Sequence, residues 1–234
     1  MFYKIGHRGA AGYLPENTLP SFEKAIELDV NMIELDAHVC KSGEVVVIHN
    51  KNTKKINNQK DLIRNKTYTD LKKINIPTLE NVLNLINQKT QVNIELKGKN
   101  IAHPVAQIIK SYIQDKKWHA DDFLVSSFNK KELKKISQYL PHVKRGFLVG
   151  PFGPYSFWIK IFSFIFKIHL RFAKKIDSFS INLHKNIVNQ KIVAMAHQEN
   201  LKVFVYTVNQ AEEIRYFRNI GVDGIFSDYP DRLQ

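Results

Sequence analysis

The residues with the clearest chemical potential in this chain are His7 and Arg8, Glu34 and Asp36, His49, and Glu95 and Lys97. Glu34 and Asp36 lie in Ile33-Glu34-Leu35-Asp36, and Glu95 and Lys97 in Ile94-Glu95-Leu96-Lys97. Each pair is spaced by two, so on a strand both members project from one face. Apolar neighbours alternate with them, which puts the carboxylates where burial is costly unless they are paired or hold a cation. Three carboxylates converging at one point form a hard, all-oxygen, anionic site. Such a site suits Mg²⁺ or Ca²⁺ better than a thiophilic metal. The alternative is that Glu34 and Asp36 form ion pairs with Lys97 and Arg8.

These residues can meet only if their elements bring them together. Strand-like runs fall near residues 3–6, 31–36, 92–96, 123–126, 145–148, 177–182, 203–206 and 223–226. Helical patterns fill most gaps, at Thr18–Leu28, Thr78–Gln88, His103–Lys117, Lys130–Tyr139, Val188–Glu199 and Ala211–Asn219. A βα rhythm of eight strands predicts an α/β fold, the (β/α)8 TIM barrel, whose reactive groups gather at the carboxyl ends of the strands. Further strands near Val39–Cys40 and Val45–Ile48, joined at Ser42-Gly43, predict a small hairpin after strand two. An open doubly wound sheet would carry a Gly-rich phosphate turn after its first strand, and Gly6-His7-Arg8-Gly9 lacks that fingerprint. The chain stops soon after the eighth strand, so the last helix is expected to be vestigial.

The ordered motifs resemble those of the glycerophosphodiester phosphodiesterase family. They are His7-Arg8-Gly9, Pro15-Glu16-Asn17-Thr18, Glu34-Leu35-Asp36, His49, Pro77-Thr78-Leu79-Glu80 and Glu95-Leu96-Lys97. Tyr206-Thr207-Val208-Asn209 and the run Gly221–Pro230 follow near the end. The resemblance implies one domain over residues 1–234 that hydrolyses glycerophosphodiesters to glycerol 3-phosphate and an alcohol. It further implies that Glu34, Asp36 and Glu95 hold a divalent cation, that Arg8 and Lys97 bind phosphate oxygens, and that His7 and His49 form the acid–base pair. Histidine suits that work because its unperturbed pKa of about 6.5 lets one ring be neutral and the other charged near neutral pH. By the same resemblance, the substrate's own glycerol hydroxyl attacks phosphorus, and water then opens a cyclic phosphate.

Around this set, Glu16 is expected to orient a catalytic group from beside the His7 loop, or else to cap the helix that follows. Phe128, Asn182, Tyr206 and Asn209 fall at strand ends and are expected in the pocket or just behind it. His38 shares a face with Glu34 and Asp36 but lies further out, at the rim. His103, His119, His142, His169, His184 and His197 are assigned surface or structural roles. The chain departs from the family at Asn50, where an acidic residue is usual, at Tyr206, where tryptophan is common, and at the turn Cys40-Lys41-Ser42-Gly43. The segment Lys51–Ile76 is short for the family's insertion over the site, which predicts a reduced arm and a more open mouth.

Residues 155–174 are rich in phenylalanine and isoleucine, with Ser156, Lys160, Ser163, Lys167, Arg171 and Lys174 at steps of three or four. On a helix these form a narrow basic stripe in an otherwise apolar surface, the pattern of an interfacial membrane helix. Lysines at 160 and 167 argue against a spanning helix. A homodimer contact and an ordinary barrel helix are the alternatives. The net charge of +13 agrees with a solvated basic surface or a pull toward anionic lipid. No zinc-finger or RNP signature points to nucleic acid. The single cysteine, Cys40, excludes an internal disulfide and a thiolate metal cluster. No signal segment precedes the first strand, so a cytoplasmic location is expected, peripheral to the membrane's inner face if the helix binds lipid. A lysophospholipase D acting at a bilayer and a catalytically silent, anionic-lipid-binding barrel are the competing functions.

Overall fold

The computed structural model describes residues 2–115, 118–150 and 159–234, with the backbone alone for residues 159–164. Strand β1 (Tyr3–Gly6) leads through a turn to helix α1 (Leu19–Glu27), then β2 (Met32–Val39) and β3 (Val45–Val47). Two short helices, α2 (Lys54–Asn57) and α3 (Tyr68–Lys72), precede α4 (Leu79–Ile86) and β4 (Gln91–Leu96). The βα alternation then runs α5 (Ala102–Asp115), β5 (Phe123–Ser127), α6 (Lys130–Tyr139), β6 (Lys144–Val149) and α7 (Ile159–Lys175). It closes with β7 (Ser180–His184), α8 (Gln190–His197), β8 (Lys202–Tyr206), α9 (Ala211–Asn219) and β9 (Gly224–Ser227). All strands but β3 are parallel, and β1 pairs with both β9 and β2, closing an eight-stranded TIM barrel.

Local sequence sets where the helices begin. Thr18 caps α1, Asn129 accepts from two amides at the start of α6, and Asn189 caps α8. Thr78 and Asn81 form a reciprocal capping box on α4. Each of these oxygens satisfies amides that have no partner within the helix. The strands bury both faces, as parallel barrel strands must. Outward residues pack under the helices in two large apolar clusters. Inward residues Ile5, Met32, Leu124, Phe204 and Phe226 form a smaller one.

The hairpin differs from expectation in one respect. Its first arm is not a separate strand but the end of β2, whose residues Ala37–Val39 pair antiparallel with β3. The segment Lys51–Ile76 folds as α2, a 3-10 turn at Ile63–Asn65, and α3. Ile63, Leu71 and Ile76 pack with Cys40, Val46 and Ile48, so this arm has a small core of its own on the hairpin. Beyond β9 the expected vestigial helix is a single 3-10 turn, Pro230–Leu233.

Helix α7, as far as it is described, follows the barrel-helix alternative rather than a narrow basic stripe in an otherwise apolar surface. From Ile165 onward Phe166, Leu170 and Ala173 are buried while Lys167, Ile168 and Arg171 face out. The His169 ring stacks on Phe147 of β6 at 5.5 Å. This half is a barrel helix with one apolar face. Residues 155–158 and the side chains of 159–164 lie outside the described residues. Among the described residues, no helix is long and apolar enough to cross a membrane.

Candidate active site

At the carboxyl ends of β1, β2 and β4 the chain gathers its charges. Arg8 adopts a left-handed backbone conformation (φ 53°), rare for a residue with a side chain, and its amide donates to Glu34 Oε2 at 2.9 Å. The turn is tight: a Cβ on Gly9 would lie 2.7 Å from the Ser21 carbonyl, so only glycine fits there. The Arg8 guanidinium reaches Asp36 Oδ2 at 3.1 Å and Glu16 Oε2 at 2.7 Å. Asn17 holds Asp36 from the other side, donating Nδ2 to Oδ2 (2.8 Å) and accepting the Asp36 amide (3.1 Å).

Glu34, Asp36 and Glu95 each offer an oxygen within 4.8 Å of the others, and all three are buried. Lys97 Nζ lies 3.0 Å from Asp36 Oδ1 and 2.7 Å from Glu95 Oε1. Neither oxygen accepts a well-directed hydrogen bond. The three carboxylates converge. Of the ion pairs expected from the sequence, Asp36 makes both, to Arg8 and Lys97, while Glu34 accepts the Arg8 amide and Lys97 also pairs with Glu95. Burial, helped by Asp36 and Glu95, pushes the Glu34 carboxyl well above the usual carboxylate range. Burial and Asp36 push Glu95 up to about 7, against the pull of Lys97. At Asp36 burial acts in the same direction but loses to Lys97, Arg8 and His49, which hold the carboxyl far below its ordinary value. Burial and mutual repulsion that push two neighbouring carboxyls upward are the setting in which a bound cation is favoured. An all-oxygen donor set suits a hard divalent ion. The acidic triad thus fits a divalent metal.

His7 and His49 both line a cavity of about 310 Å³ that also touches Arg8, Glu34, Glu95 and Lys97. His7 Nδ1 is 2.7 Å from Asp228 Oδ1, and Asp228 is fixed in turn by Asn209 Nδ2 at 2.6 Å. Burial works against the Asp228 charge, but His7, Asn209 and Arg8 hold its carboxyl below the ordinary value. It is therefore an anion and accepts from His7 Nδ1–H, which leaves Nε2 of that ring for the cavity. His49 Nδ1 has Asn50 Oδ1 at 3.0 Å. Burial lowers its pKa, as do Arg8 and Lys97, while Asp36 and Asn50 oppose the shift.

The remaining expected residues divide by depth. Phe128 and Tyr206 line the cavity, with the Tyr206 hydroxyl donating to the Val149 carbonyl at 3.0 Å. Asn209 lies behind Asp228, and Glu16 links Arg8 to Lys55. Asn182 is lower, sealed in the barrel interior, where Oδ1 accepts from Ser180 Oγ at 2.8 Å. His38 is half-buried, with Nε2 3.3 Å from the His49 carbonyl. Sequence reasoning gave no role to Asp228 or Asn17, although both stand inside the ordered motifs. It treated His184 as structural, yet His184 is on the cavity wall, as are Asn93 and Ser126.

The family model described as "Glycerophosphoryl diester phosphodiesterase family" matches residues 7–232. A glycerophosphodiester phosphodiesterase of Bacillus altitudinis is 31% identical, over 97% of this chain and 95% of the relative. A human lysophospholipase D is 25% identical, over 98% of this chain and 84% of the relative. Among solved structures, an Oleispira antarctica phosphodiesterase in complex with the product sn-glycerol-3-phosphate superposes with a TM-score of 0.80. It is 24% identical, over 98% of this chain and 94% of that one. The family match begins at the histidine that closes β1 and runs to the final turn. The chain is a phosphodiesterase and belongs to the glycerophosphoryl diester phosphodiesterase family.

Proposed function

We propose that residues 1–234 act as one catalytic domain that hydrolyses glycerophosphodiesters to glycerol 3-phosphate and an alcohol. The observation that carries this is a buried carboxylate triad, two of whose members, Glu34 and Glu95, line one small cavity with His7 and His49. Glu34, Asp36 and Glu95 would hold a divalent cation, Mg²⁺ or Ca²⁺. When bound, it would supply Lewis-acid polarisation of a phosphate oxygen. Arg8 binds a non-bridging oxygen as a planar fork and Lys97 as a point charge, and both keep their charge through Asp36. His7 is the base: it takes the proton of the attacking glycerol hydroxyl, and Asp228 balances the positive charge it gains, as the carboxylate does in a Ser-His-Asp triad. His49 is the acid: it gives its proton to the departing alcohol. A cyclic phosphate and the free alcohol result, and water then opens the ring with the two roles exchanged.

The test is release of glycerol 3-phosphate from glycerophosphocholine and glycerophosphoethanolamine with Mg²⁺, Ca²⁺ or a chelator, beside Glu34→Ala. Metal-dependent release that the variant loses supports the assignment. Release that survives both chelator and mutation sinks it.

A second reading, lysophospholipase D activity, is favoured by one observation. His49 also borders a cavity of about 460 Å³ walled by Ile48, Ile56, Ile74 and Ile76 of the hairpin and arm. Such a wall suits an acyl chain beside the acid. In this reading residues 155–174 supply a peripheral membrane contact. A dimer through the same helix is the alternative, and sedimentation distinguishes the two. Lysophospholipid in micelles left intact while soluble diesters are cleaved would remove the second reading.

A further inference from the structure

A third cavity, of about 600 Å³, opens on the far side of Lys97 from the catalytic one. Its walls are the loop after β4, which carries Lys97 and Lys99, and the 3-10 turn of the arm, which carries Arg64. Lys51, His38 and Asn100 complete the polar lining. The Ile63 amide donates to the Lys51 carbonyl at 3.0 Å, which fixes Lys51 against that turn. Lys51, Arg64 and Lys99 thus bring three cations to one space beside Lys97, whose ammonium is held by Asp36 and Glu95, and no carboxylate lines it. Among the described residues Lys51, Arg64 and Lys99 have no ion-pair partner, whereas most lysines around the catalytic mouth do. No phenylalanine, tyrosine or tryptophan lines it either, so it offers no π-face to a quaternary ammonium.

Its position relates it to the reaction. Lys97 lines both cavities, so the basic one adjoins the catalytic one at the residue assigned to bind phosphate. Lys51 is two residues beyond His49, the group assigned to protonate the leaving alcohol. Resting on that assignment, we propose that the basic cavity is a leaving-group subsite selecting diesters whose alcohol carries a second anionic group, a phosphate or phosphodiester. A choline or ethanolamine headgroup would meet only like charge there, and an uncharged glycerol would gain little.

Matched substrates test this. Glycerophosphoglycerol releases glycerol and 1,3-bis(glycero-3-phospho)glycerol releases glycerophosphoglycerol, so the two leaving alcohols differ by one anionic glycerophosphoryl unit. The expected kcat/KM ratio in favour of the second, after allowing for its two equivalent ends, is about tenfold or more, given that each exposed cation contributes a few-fold. Replacing Lys51, Arg64 and Lys99 together by alanine should bring the ratio to about one and leave glycerophosphoglycerol turnover within about twofold. A control triple alanine variant at Lys110, Lys131 and Lys134 removes equal charge from outer helix faces. It should leave the ratio unchanged. If it lowers the ratio as much, the general field of the protein is responsible and the subsite is refuted. A wild-type ratio near one refutes it as well. Calorimetry of both diesters with the His49→Ala protein, in chelator, reads the subsite with turnover slowed. Preferential binding there, with no cleavage by the wild type, would sink the hydrolase assignment and keep the subsite, while equal binding overturns the subsite.

Discussion

At the scale of single residues, charge placement decides what each group can do. Replacing His49 by alanine should lower kcat by about 10²–10⁴-fold, the usual contribution of a positioned acid–base group. An unchanged rate would remove it from the mechanism. Its neighbour Asn50 is neutral, and burial with Arg8 and Lys97 keeps the His49 pKa low. Asn50→Asp should favour the imidazolium and move the alkaline limb of the kcat/KM profile up by about one pH unit. A limb that stays put or moves to lower pH contradicts the acid role. At the triad, protons compete with metal. Glu95 is pushed up to about 7 and Glu34 higher than a usual carboxylate, so below neutral pH a metal must displace protons. Mg²⁺ or Ca²⁺ affinity should therefore fall as pH falls through 7, with net proton release in calorimetry across buffers of different ionisation enthalpy. Binding with no proton release at pH 6–7 would contradict this.

At the scale of elements, the barrel is tied at its closing seam. Asp223 accepts from the Val203 amide and His197 Nε2, both at 2.8 Å, and from Lys202 at 3.2 Å, while its own carbonyl accepts from the Tyr3 amide. Burial opposes its charge, but these donors hold its carboxyl below the ordinary value. The stabilisation is fully present above the unfolded pKa of about 4 and is lost as pH falls through the lower folded value. Asp223→Asn should cost about 1–2 kcal/mol at neutral pH, read as a lower denaturation midpoint. The gap to the wild type should close in strong acid, and a gap that persists there would deny the charge any part. Strand and helix positions were legible in the sequence because period-two and period-3.6 patterns are local. Lys130–Tyr139 and Ala211–Asn219 coincide with the observed helices. The site carboxylates were legible because charges two residues apart in an apolar run are costly to bury unless they are paired or hold an ion. Asp228 was not, since its meaning lies in a ring more than two hundred positions away that only barrel closure brings to 2.7 Å. Nor was the depth of Asn182, which depends on the register of β7 with its neighbours.

At the scale of the whole molecule, the surface is strongly basic, at +13, and the outward face of α7 presents Lys167, Arg171 and Lys174 beside an exposed Ile168. If that face meets a bilayer, the protein should co-sediment with anionic phosphatidylglycerol vesicles and release as salt rises from about 0.05 to 0.5 M, where screening shortens the reach of charge. Neutral vesicles should retain little. Retention independent of lipid charge, or none on anionic vesicles, would leave the helix to the barrel alone.

The run of β2 into the hairpin joins two jobs on one length of chain. Its inner part carries Glu34 and Asp36, runs along β4 as far as Ala37 and is joined by β1 at Met32 and Ile33, while His38 and Val39 pair only with β3, just before His49. The inner part cannot shift without breaking the β4 ladder; the outer end is held by β3 alone. If His49 is the acid and Glu34 and Asp36 hold the cation as proposed, exchange of residues in the arm would re-aim the proton donor and reshape the space for the departing alcohol while the two carboxylates stay on the strand paired to β4. A chain built this way would change what it releases without relearning how it holds phosphate.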